Sequence, residues 1–416
     1  MSPRTLAFYS KLSGWKRAVM LAVIAGVAVA LFSFGTRKIV QPLHARGWAP
    51  RVTSMVDSVA GVAEAPGREV ALRFLPARLD RYRSKAAVPL NMAFWTVMMG
   101  AWLALGRVRW PGRGQNSRDT SDAVGMIPSR RRFLGHALQG AAAFGAAGAL
   151  AYGSVWEPRH LRVVRRTFPL RGLPKELDGL RVVQVSDVHH GPWLSEGDLH
   201  RIVRTANALQ PDLILLTGDY VLHERVYAEP AVRVLSELRA PIGIVAVLGN
   251  HDWHESAPTL RAAFPKVGIP MLDNTRLFVR PDRTLVREAD VGLCVAGVGD
   301  YWHDRQLYDA ALGGLPEAMP RILLSHNPDV AEDHRFLACR HRVDLMISGH
   351  THGGQVKLPG VGALVTYSHY GKKYLHGLAQ GPACPVHVSA GVGMSKMPVR
   401  IGVPPEIVVF EFTRAG

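Results

Sequence analysis

The feature that most constrains the fold of this 416-residue chain is a series of short apolar segments, each followed at once by a polar turn. Such segments are typical of buried strands, and helical spacing of the apolar residues between them predicts that strands alternate with helices. Polar residues at successive strand ends then meet along one edge of an α/β sheet. The polar turns occupy residues 186–189, 217–219, 249–252, 325–329 and 348–355.

The last of these turns, residues 348–355, contains two histidines, His350 and His352, with glycine on either side of the pair. Histidine is the commonest ligand of transition metals, and glycine allows the backbone to approach a ligand closely. An isolated His-x-His pair is explained as readily by a polar loop with incidental histidines. Five polar turns, each after a segment with strand character, are hard to attribute to coincidence, and they favour a site built from strand ends.

The turns together supply carboxylate, amide and imidazole groups, a donor set that suits Mn, Fe or Zn better than copper thiolate chemistry. These groups are more than one tetrahedral ion requires. They fit two ions that share a carboxylate and lie about 3.5–4 Å apart. Because Asp187 or Asp219 taken singly is better explained as a helix N-cap, the prediction depends on the whole set: Asp187, His189, Asp219, Asn250, His251, His326, His350 and His352.

In its motifs the chain resembles the calcineurin-like metallophosphoesterase family, and the resemblance covers residues 160–416. It implies an α/β fold of the four-layer αββα sandwich type, with a dimetal site at the strand ends. Residues 325–329 and 349–355 and the tail from 389–393 through 398–400 resemble the branch of bacterial membrane-associated or twin-arginine-exported phosphodiesterases typified by YkuE and YaeI. The family motifs are Asp187-x-His189, Gly218-Asp219, Gly249-Asn250-His251-Asp252, His326 and Gly349-His350-x-His352.

The resemblance also implies a role for each matched residue. Two divalent ions, of Mn, Fe or Zn, would serve the hydrolysis of a phosphodiester, pyrophosphate or phosphomonoester bond. His251 would be catalytic and not a ligand, because it would protonate the leaving oxygen or stabilise the transition state. One ion would be held by Asp187, His189 and His352 and the other by Asn250, His326 and His350, with Asp219 as the bridge.

Four further polar residues lie close to these motifs in the sequence. His190, His254 and His303 are candidates for the rim of the site, although each taken singly is more readily a surface residue. Asp300 follows a Gly-Val-Gly segment, where it would either orient a ligand histidine or cap a turn. The sequence leaves both alternatives open.

Residues 1–159 have a different composition, which predicts a membrane region. Uncharged apolar runs at 18–35 and 86–106, and a third at 134–153, are about long enough to cross a bilayer. The chain has a formal net charge of +17, but the excess of Lys and Arg lies before residue 160. From His160 onward, basic and acidic residues nearly balance. The charge is therefore best explained as juxtamembrane, and a nucleic-acid partner is unlikely for the 160–416 domain.

The third apolar run follows Ser129-Arg130-Arg131-Arg132-Phe133-Leu134, which resembles a twin-arginine export signal. The alternative is an ordinary third membrane helix with basic residues on its cytoplasmic flank. Both interpretations predict a protein of the bacterial inner membrane whose domain 160–416 lies on the extracytoplasmic side. Ala149-Leu150-Ala151 is a candidate cleavage site after this run.

Two classes of function fit these observations. The first is a dinuclear phosphoesterase, with a lipid or cell-envelope substrate as one option because of the membrane region. The alternative is a membrane-tethered, metal-containing binding or sensor protein without significant turnover. His251 beside a full set of ligands favours the enzyme, since a binding protein has no need of a proton donor.

Overall fold

The structure is a computed structural model that describes residues 140–141, 144–222 and 224–415, without the side chains of residues 254 and 255. The candidate membrane segments 18–35 and 86–106, the arginine motif and the beginning of 134–153 lie outside these residues. Residues 144–151 are helical. Within the described ranges, no helix combines the length and the apolar character that crossing a membrane requires. A compact unit begins at Tyr152 and extends to the end of the chain.

Strands and helices alternate through the first part of this unit, and strands predominate after residue 355. The α-helices are α1 (Glu196–Ala208), α2 (Ala228–Leu235), α3 (Asn250–Glu255), α4 (Ala257–Lys266), α5 (Tyr308–Leu312) and α6 (His334–Cys339). The strands are β1 (Arg162–Leu170), β2 (Leu180–Val185), β3 (Leu213–Leu216), β4 (Gly243–Ala246), β5 (Thr275–Val279), β6 (Leu285–Val286), β7 (Leu293–Gly297), β8 (Arg321–Leu324), β9 (Leu345–Ser348), β10 (Lys357–Leu358), β11 (Gly362–Ala363), β12 (Gly377–Gln380), β13 (Pro385–Val388) and β14 (Glu406–Arg414).

The strands form two large sheets and a small hairpin, β10–β11. The first sheet has the order β1-β14-β2-β3-β4, in which β2, β3 and β4 run parallel. The second has the order β12-β13-β9-β8-β7-β5-β6, and its centre, β13-β9-β8-β7, is also parallel. In each sheet, therefore, the carboxyl ends of the central parallel strands lie at a common edge.

Three apolar clusters divide the unit into layers. One cluster lies between the two sheets and includes Val182 of β2 and Ile347 of β9, both fully buried. A second cluster, with Val183, packs the other face of the first sheet against α1, α2 and α4. The third packs the outer face of the second sheet against α5 and α6. Two sheets thus lie face to face with helices outside both, which agrees with the layers that the family resemblance implied.

A buried amide connects the two sheets at the edge where their strands end. Gln184 lies on β2, and its Nε2 donates to Thr217 Oγ1 and to the carbonyl oxygen of Ser348, each at 2.9 Å. Thr217 follows β3 in the first sheet, whereas Ser348 ends β9 in the second. Because a buried polar group needs its partners, this contact holds the ends of three strands in register across the sheets.

Most of the strands predicted from apolar segments are confirmed, with small shifts at their ends. The apolar segments that directly precede the polar turns at 186, 217 and 325 form β2, β3 and β8. Ser348, assigned by its polarity to a turn, is instead the last residue of β9. The segment beginning at Asn250, also assigned to a polar turn, starts helix α3.

Helix α1 shows why local sequence predicts a helix here. Ser195 Oγ accepts from the backbone N–H of Asp198, and the Asp198 carboxylate accepts from the backbone N–H of Ser195, which forms a capping box. Leu199, Ile202 and Val203 are buried against the first sheet at helical spacing. The apolar periodicity predicted this helix from residue 199, and the cap extends it to Glu196.

His387 provides a test of the packing between the sheets, because it is buried on β13 with its ring edge-on to Phe410 at 4.9 Å between centroids. Burial lowers the pKa of His387 from 6.5 to about 4. As pH falls from 6.5 to 4, His387 therefore binds a proton in the unfolded chain but not in the folded chain. Above pH 6.5 His387 leaves stability unchanged, and below it His387 lowers the free energy of unfolding.

We therefore expect His387→Leu to reduce the loss of unfolding free energy between pH 6.5 and pH 4, by up to roughly 3 kcal/mol, since one pKa unit corresponds to about 1.4 kcal/mol. Denaturant unfolding at both pH values, with a chelator present so that metal release does not contribute, measures the difference. His334→Ala is the control, because that side chain is 91% exposed. An unchanged pH dependence in His387→Leu would show that burial of this ring does not oppose its charge.

Candidate metal centre

The backbone at the strand ends adopts a conformation that non-glycine residues rarely take. A φ in the left-handed region is uncommon for such residues and, when several occur together, indicates a functional site. Five of the predicted ligands have it: Asp187 (φ 54°), His189 (φ 48°), Asp219 (φ 57°), His350 (φ 73°) and His352 (φ 51°). These turns aim their side chains into one space beyond the sheet edge.

Three of the predicted ligands form one group. His189 Nε2 lies 2.9 Å from His352 Nε2, although their residues are far apart in the sequence. Asp187 Oδ1 lies 3.4 Å from His352 Nε2 and 4.0 Å from His189 Nε2. All three side chains are buried, and their ligand atoms are mutually within 4.8 Å. Two imidazoles and a carboxylate that converge in this way suit a divalent transition metal.

A second group lies on the side of the seven-stranded sheet. Asn250 Oδ1 lies 2.8 Å from His350 Nδ1 and 3.2 Å from His326 Nε2. The two ring nitrogens are 3.3 Å apart. The amide oxygen and both imidazoles therefore face one point, again in buried positions.

The carboxylate of Asp219 lies between the two groups. Its Oδ2 is 3.4 Å from His189 Nε2 and 3.2 Å from His326 Nε2. Its Oδ1 accepts from the backbone N–H of His251 at 2.8 Å. A carboxylate in this position suits a bridge between two ions. The donor set of the seven residues thus fits two divalent cations.

Two glycines allow the strand ends to approach this closely. A Cβ on Gly249 would lie 2.3 Å from Asp219 Oδ1, and a Cβ on Gly349 would lie 2.2 Å from Asp187 Oδ2. Neither distance is compatible with a side chain. The glycines in the Gly-Asn-His-Asp and Gly-His-Thr-His motifs are therefore required by contact with the carboxylates.

Electrostatics at the centre favour cation binding. Burial, together with His326, lowers the pKa of His350 to about 3, and burial lowers that of His352 well below its ordinary range. Both rings are therefore neutral at physiological pH, the form that binds a metal. Burial opposes a charge on His326 as well, but the Asp219 carboxylate outweighs it and raises the pKa to about 10. A cation beside Asp219 would displace that proton, because metal ligands bind deprotonated.

His251 lies beside the centre with one nitrogen directed away from it. Its Nδ1 is 2.8 Å from the carbonyl oxygen of Leu222, which can only accept, so Nδ1 carries a proton. Its Nε2 is 3.2 Å from Ser395 Oγ, and its ring packs edge-on to His189 at 4.8 Å. The ligand atoms of His251, His189 and Asp219 also lie within 4.8 Å of one another. Geometry alone therefore allows His251 to act as a proton donor or as a ligand.

Asp252 has a structural role that the sequence did not indicate beyond its place in the motif. Its Oδ2 accepts from the backbone N–H groups of Asp219 and Gly249, at 2.8 and 2.9 Å, and its Oδ1 accepts from that of Tyr220 at 2.8 Å. These bonds join the turn after β3 to the beginning of α3. Asp252 therefore positions Asp219 relative to Asn250.

Arg400, which the sequence included only in the tail resemblance, is fully buried behind the centre. Its Nη2 lies 3.3 Å from His352 Nδ1 and donates to the carbonyl oxygen of Gly393 at 2.6 Å. Its Nη1 donates to the carbonyl oxygen of Val403 at 3.0 Å. The backbone N–H of Arg400 donates to the carbonyl oxygen of Gly153 at 2.8 Å. Arg400 thus connects the ring of His352 to the beginning of the unit.

The residues predicted to lie at the rim, and Asp300, differ in where the structure places them. His190 is buried and its Nδ1 bonds to the carbonyl oxygen of Leu194 at 2.9 Å, so it is not a rim residue. Asp300 caps its turn, because Oδ2 accepts from the backbone N–H groups of Trp302 and His303 and lies 2.8 Å from His303 Nδ1. The side chain of His254 lies outside the described part. Trp302 was not predicted, yet its ring packs edge-on to His350 at 4.7 Å.

Comparison with known proteins places these motifs in a wider group. The family model described as calcineurin-like phosphoesterase matches residues 180–354. The uncharacterized metallophosphoesterase YkuE of Bacillus subtilis is 31% identical over 287 residues, which cover 68% of this chain and 96% of YkuE. A transmembrane protein with metallophosphoesterase domain from Bos taurus is 28% identical over 79% of this chain and 72% of its own length.

Two more distant similarities complete the comparison. UDP-2,3-diacylglucosamine pyrophosphatase LpxG of Chlamydia trachomatis is 27% identical over 49% of this chain and 72% of its own length. Among solved structures, a dimetal phosphatase from Danio rerio aligns with a TM-score of 0.34 at 13% identity, covering 53% of this chain and 90% of that one.

Proposed function

We propose that this chain, which belongs to the calcineurin-like metallophosphoesterase family and is a metal-dependent phosphoester hydrolase, uses two divalent ions to cleave a phosphodiester, pyrophosphate or phosphomonoester bond. The observation that carries the dinuclear proposal is the position of the Asp219 carboxylate. Its Oδ2 lies 3.4 Å from His189 Nε2 in one group of ligands and 3.2 Å from His326 Nε2 in the other. Mn, Fe or Zn would suit these nitrogen and oxygen donors.

Each residue at the centre then has a defined task. Asp187, His189 and His352 would hold one ion, Asn250, His326 and His350 would hold the other, and Asp219 would serve both. The chemistry that such ions supply is activation of water and neutralisation of charge on the phosphoryl oxygens. The buried side chains exclude other water from the ligands, and Arg400 and Asp252 hold the turns in place. His251 delivers the proton that the leaving oxygen requires.

Metal content tests the shared carboxylate. The purified full chain should contain two ions, and Asp219→Ala should lose both because its carboxylate contacts both groups. His352→Ala should weaken the binding of chiefly one ion, since the ring of His352 belongs to one group of ligands only. Elemental analysis after dialysis measures the stoichiometry.

His341→Ala is the matched control for these variants. His341 Nε2 also pairs with an aspartate, Asp309 Oδ1 at 2.7 Å, but on the surface and away from the centre. Its removal should leave two ions in place. A single ion in the active wild-type chain, or equal losses in Asp219→Ala and His352→Ala, would rule out the bridge.

The catalytic role of His251 follows from the orientation of its ring. The bond from Nδ1 to the carbonyl oxygen of Leu222 directs Nε2 toward Ser395 and the space beside Asp219. A protonated Nε2 in that position would donate to a leaving alkoxide as a general acid. A general acid of this kind contributes most when the leaving group is a poor one.

We therefore expect His251→Gln to keep the fold and the metal content while lowering kcat by something like 10²–10⁴-fold for an alkyl leaving group. The loss should be smaller for nitrophenolate, which departs without the proton. Steady-state kinetics on the two substrates, together with metal analysis, gives both readouts.

Three other outcomes would each contradict this role. Loss of metal in His251→Gln would make His251 a ligand, as its distance to His189 and Asp219 permits. Equal losses of kcat on both substrates would indicate charge stabilisation in place of proton transfer. No loss at all would favour the alternative of a membrane-tethered binding or sensor protein.

We propose a lipid or cell-envelope substrate within this chemistry. Support comes from LpxG, whose name describes a pyrophosphatase of a diacylated sugar nucleotide, and from the apolar runs that precede the catalytic unit. Turnover of a monoester, a diester and a nucleotide-sugar pyrophosphate by the full chain would rank the bond types. We expect a diester or a pyrophosphate to be hydrolysed faster than a monoester, and a monoester as the best substrate would contradict that expectation.

We also propose that residues 1–159 hold the unit to the bacterial inner membrane, with residues 160–416 on the extracytoplasmic side. The apolar runs, the basic segment at 130–132 and the name of the bovine relative support this topology. Alkaline phosphatase fused after Gly416 should be active, because it matures only outside the cytoplasm.

Replacing Arg130 and Arg131 by lysine separates the two possible routes. It should abolish export by the twin-arginine pathway, which requires arginine, and leave a conventional membrane helix unaffected because the charge is preserved. If a reporter that functions only in the cytoplasm were active when fused after Gly416, the proposed topology would be refuted.

A further inference from the structure

A group of apolar side chains lies exposed on the β10–β11 hairpin, on the segment that follows it and at Met397. Val361 is 63% exposed, and the other members, Leu364, Val365, Tyr370 and Met397, are between 42% and 49% exposed. We call these five residues the mouth face. Single exposed apolar residues are normal on a soluble protein, whereas several on neighbouring segments favour an interaction surface.

Hydrogen bonds connect the mouth face to the metal centre. The Nε2 of the proposed ligand His350 lies 3.1 Å from the carbonyl oxygen of Tyr367, between Val365 and Tyr370 in the chain. Gln355 Nε2 donates to the carbonyl oxygen of Met397 at 2.8 Å. The segments 361–370 and 395–397 therefore both border the centre.

A lysine and a tyrosine join these two segments to each other. Lys396 Nζ lies 4.6 Å from the centre of the Tyr367 ring, a cation–π distance. Lys396 follows Ser395, whose Oγ is 3.2 Å from His251 Nε2. The ammonium group is thus held close to the place where a phosphate would react.

Lysines border the mouth face, and the two carboxylates that contact residues 368–374 are already paired. Asp329 accepts from Ser368 Oγ and from the backbone N–H of His369, and Glu332 forms an ion pair with Lys373. The sequence has no acidic residue between Asp344 and Glu406, and Lys357, Lys372 and Lys396 within this stretch are exposed. Apolar side chains surrounded by lysine fit the headgroup layer of an anionic bilayer, where the ammonium groups contact lipid phosphates.

The beginning of the catalytic unit lies beside the same surface. The backbone N–H of Arg400 donates to the carbonyl oxygen of Gly153, and a Cβ on Gly153 would lie 2.6 Å from Ile401 Cγ1. The backbone N–H of Lys357 donates to the carbonyl oxygen of Ile401 at 2.7 Å, which brings the β10–β11 hairpin to this point.

Two exposed aromatic residues lie at the beginning of the catalytic unit. Tyr152 is 49% exposed and Trp156 is 58% exposed. Both residue types favour the headgroup level of a membrane. The exposed rings of Tyr152 and Trp156 therefore suit a membrane surface, as the mouth face does.

We infer that the mouth face rests on an anionic lipid bilayer, so that the metal centre opens toward the membrane surface. Val361 at the tip of the β10–β11 hairpin enters the headgroup layer, while Lys357, Lys372 and Lys396 contact its phosphates. This inference goes beyond the proposed function, because it concerns where the catalytic unit lies and not which bond it cleaves.

Depth-dependent fluorescence quenching tests this placement without any need for turnover. The full chain, with Cys339→Ser, is reconstituted in mixed phosphatidylcholine and phosphatidylglycerol vesicles that contain a nitroxide lipid. The other two cysteines, Cys294 and Cys384, are buried. A polarity-sensitive probe on Val361→Cys should be quenched several-fold more than the same probe on Val291→Cys.

Val291 is the matched control because it is 61% exposed and precedes β7, at the end of that strand remote from the centre. Equal quenching at the two positions would overturn the inference. Replacing Lys357 and Lys372 by glutamate, or omitting phosphatidylglycerol, should reduce the quenching at position 361. Quenching unaffected by both changes would overturn the role of anionic headgroups. Because quenching requires no turnover, its outcome does not depend on whether the chain hydrolyses a phosphoester. Failure of this inference and failure of the proposed function can therefore be told apart.

Discussion

The arrangement of the site depends on one carboxylate, that of Asp219, held between imidazoles from two different sheets. His189 follows β2 of the first sheet and His326 follows β8 of the second, and Asp219 Oδ2 lies within 3.4 Å of each. Burying a carboxylate is unfavourable unless charge and hydrogen bonds compensate it. The N–H of His251 and the neighbouring rings provide that compensation. The electrostatics of Asp219 thus couple the two halves of the centre.

Packing between the sheets determines where those halves meet. Each sheet contributes ligands only at the carboxyl ends of its parallel strands, so a shift of one sheet against the other would move whole groups of ligands together. Gln184, buried at that edge, bonds to both sheets and resists such a shift. The apolar cluster beneath it, which lies between the two sheets, is therefore part of what positions the metal ligands.

Local sequence predicts a good part of this arrangement, because strands and their polar ends are encoded within a few residues. The segments of β2, β3 and β8 were recognisable from apolar character, and the polar residues after them do converge. Contacts between distant positions had no such signal. Nothing near Arg400 in the sequence indicates that its guanidinium reaches His352, or that its backbone meets Gly153. Asp300 had two interpretations, and the positions of the Trp302 and His303 backbone N–H groups favour the cap.

The left-handed turns have an evolutionary consequence. Asp187, His189, Asp219, His350 and His352 each occupy a backbone conformation that glycine or asparagine would adopt at lower conformational cost. A lineage released from the need to bind cations would gain stability by substituting these positions, so drift alone would erode the site. In this chain the conformational cost of the five turns is offset by what their side chains bind, so the site exchanges backbone stability for ligand geometry.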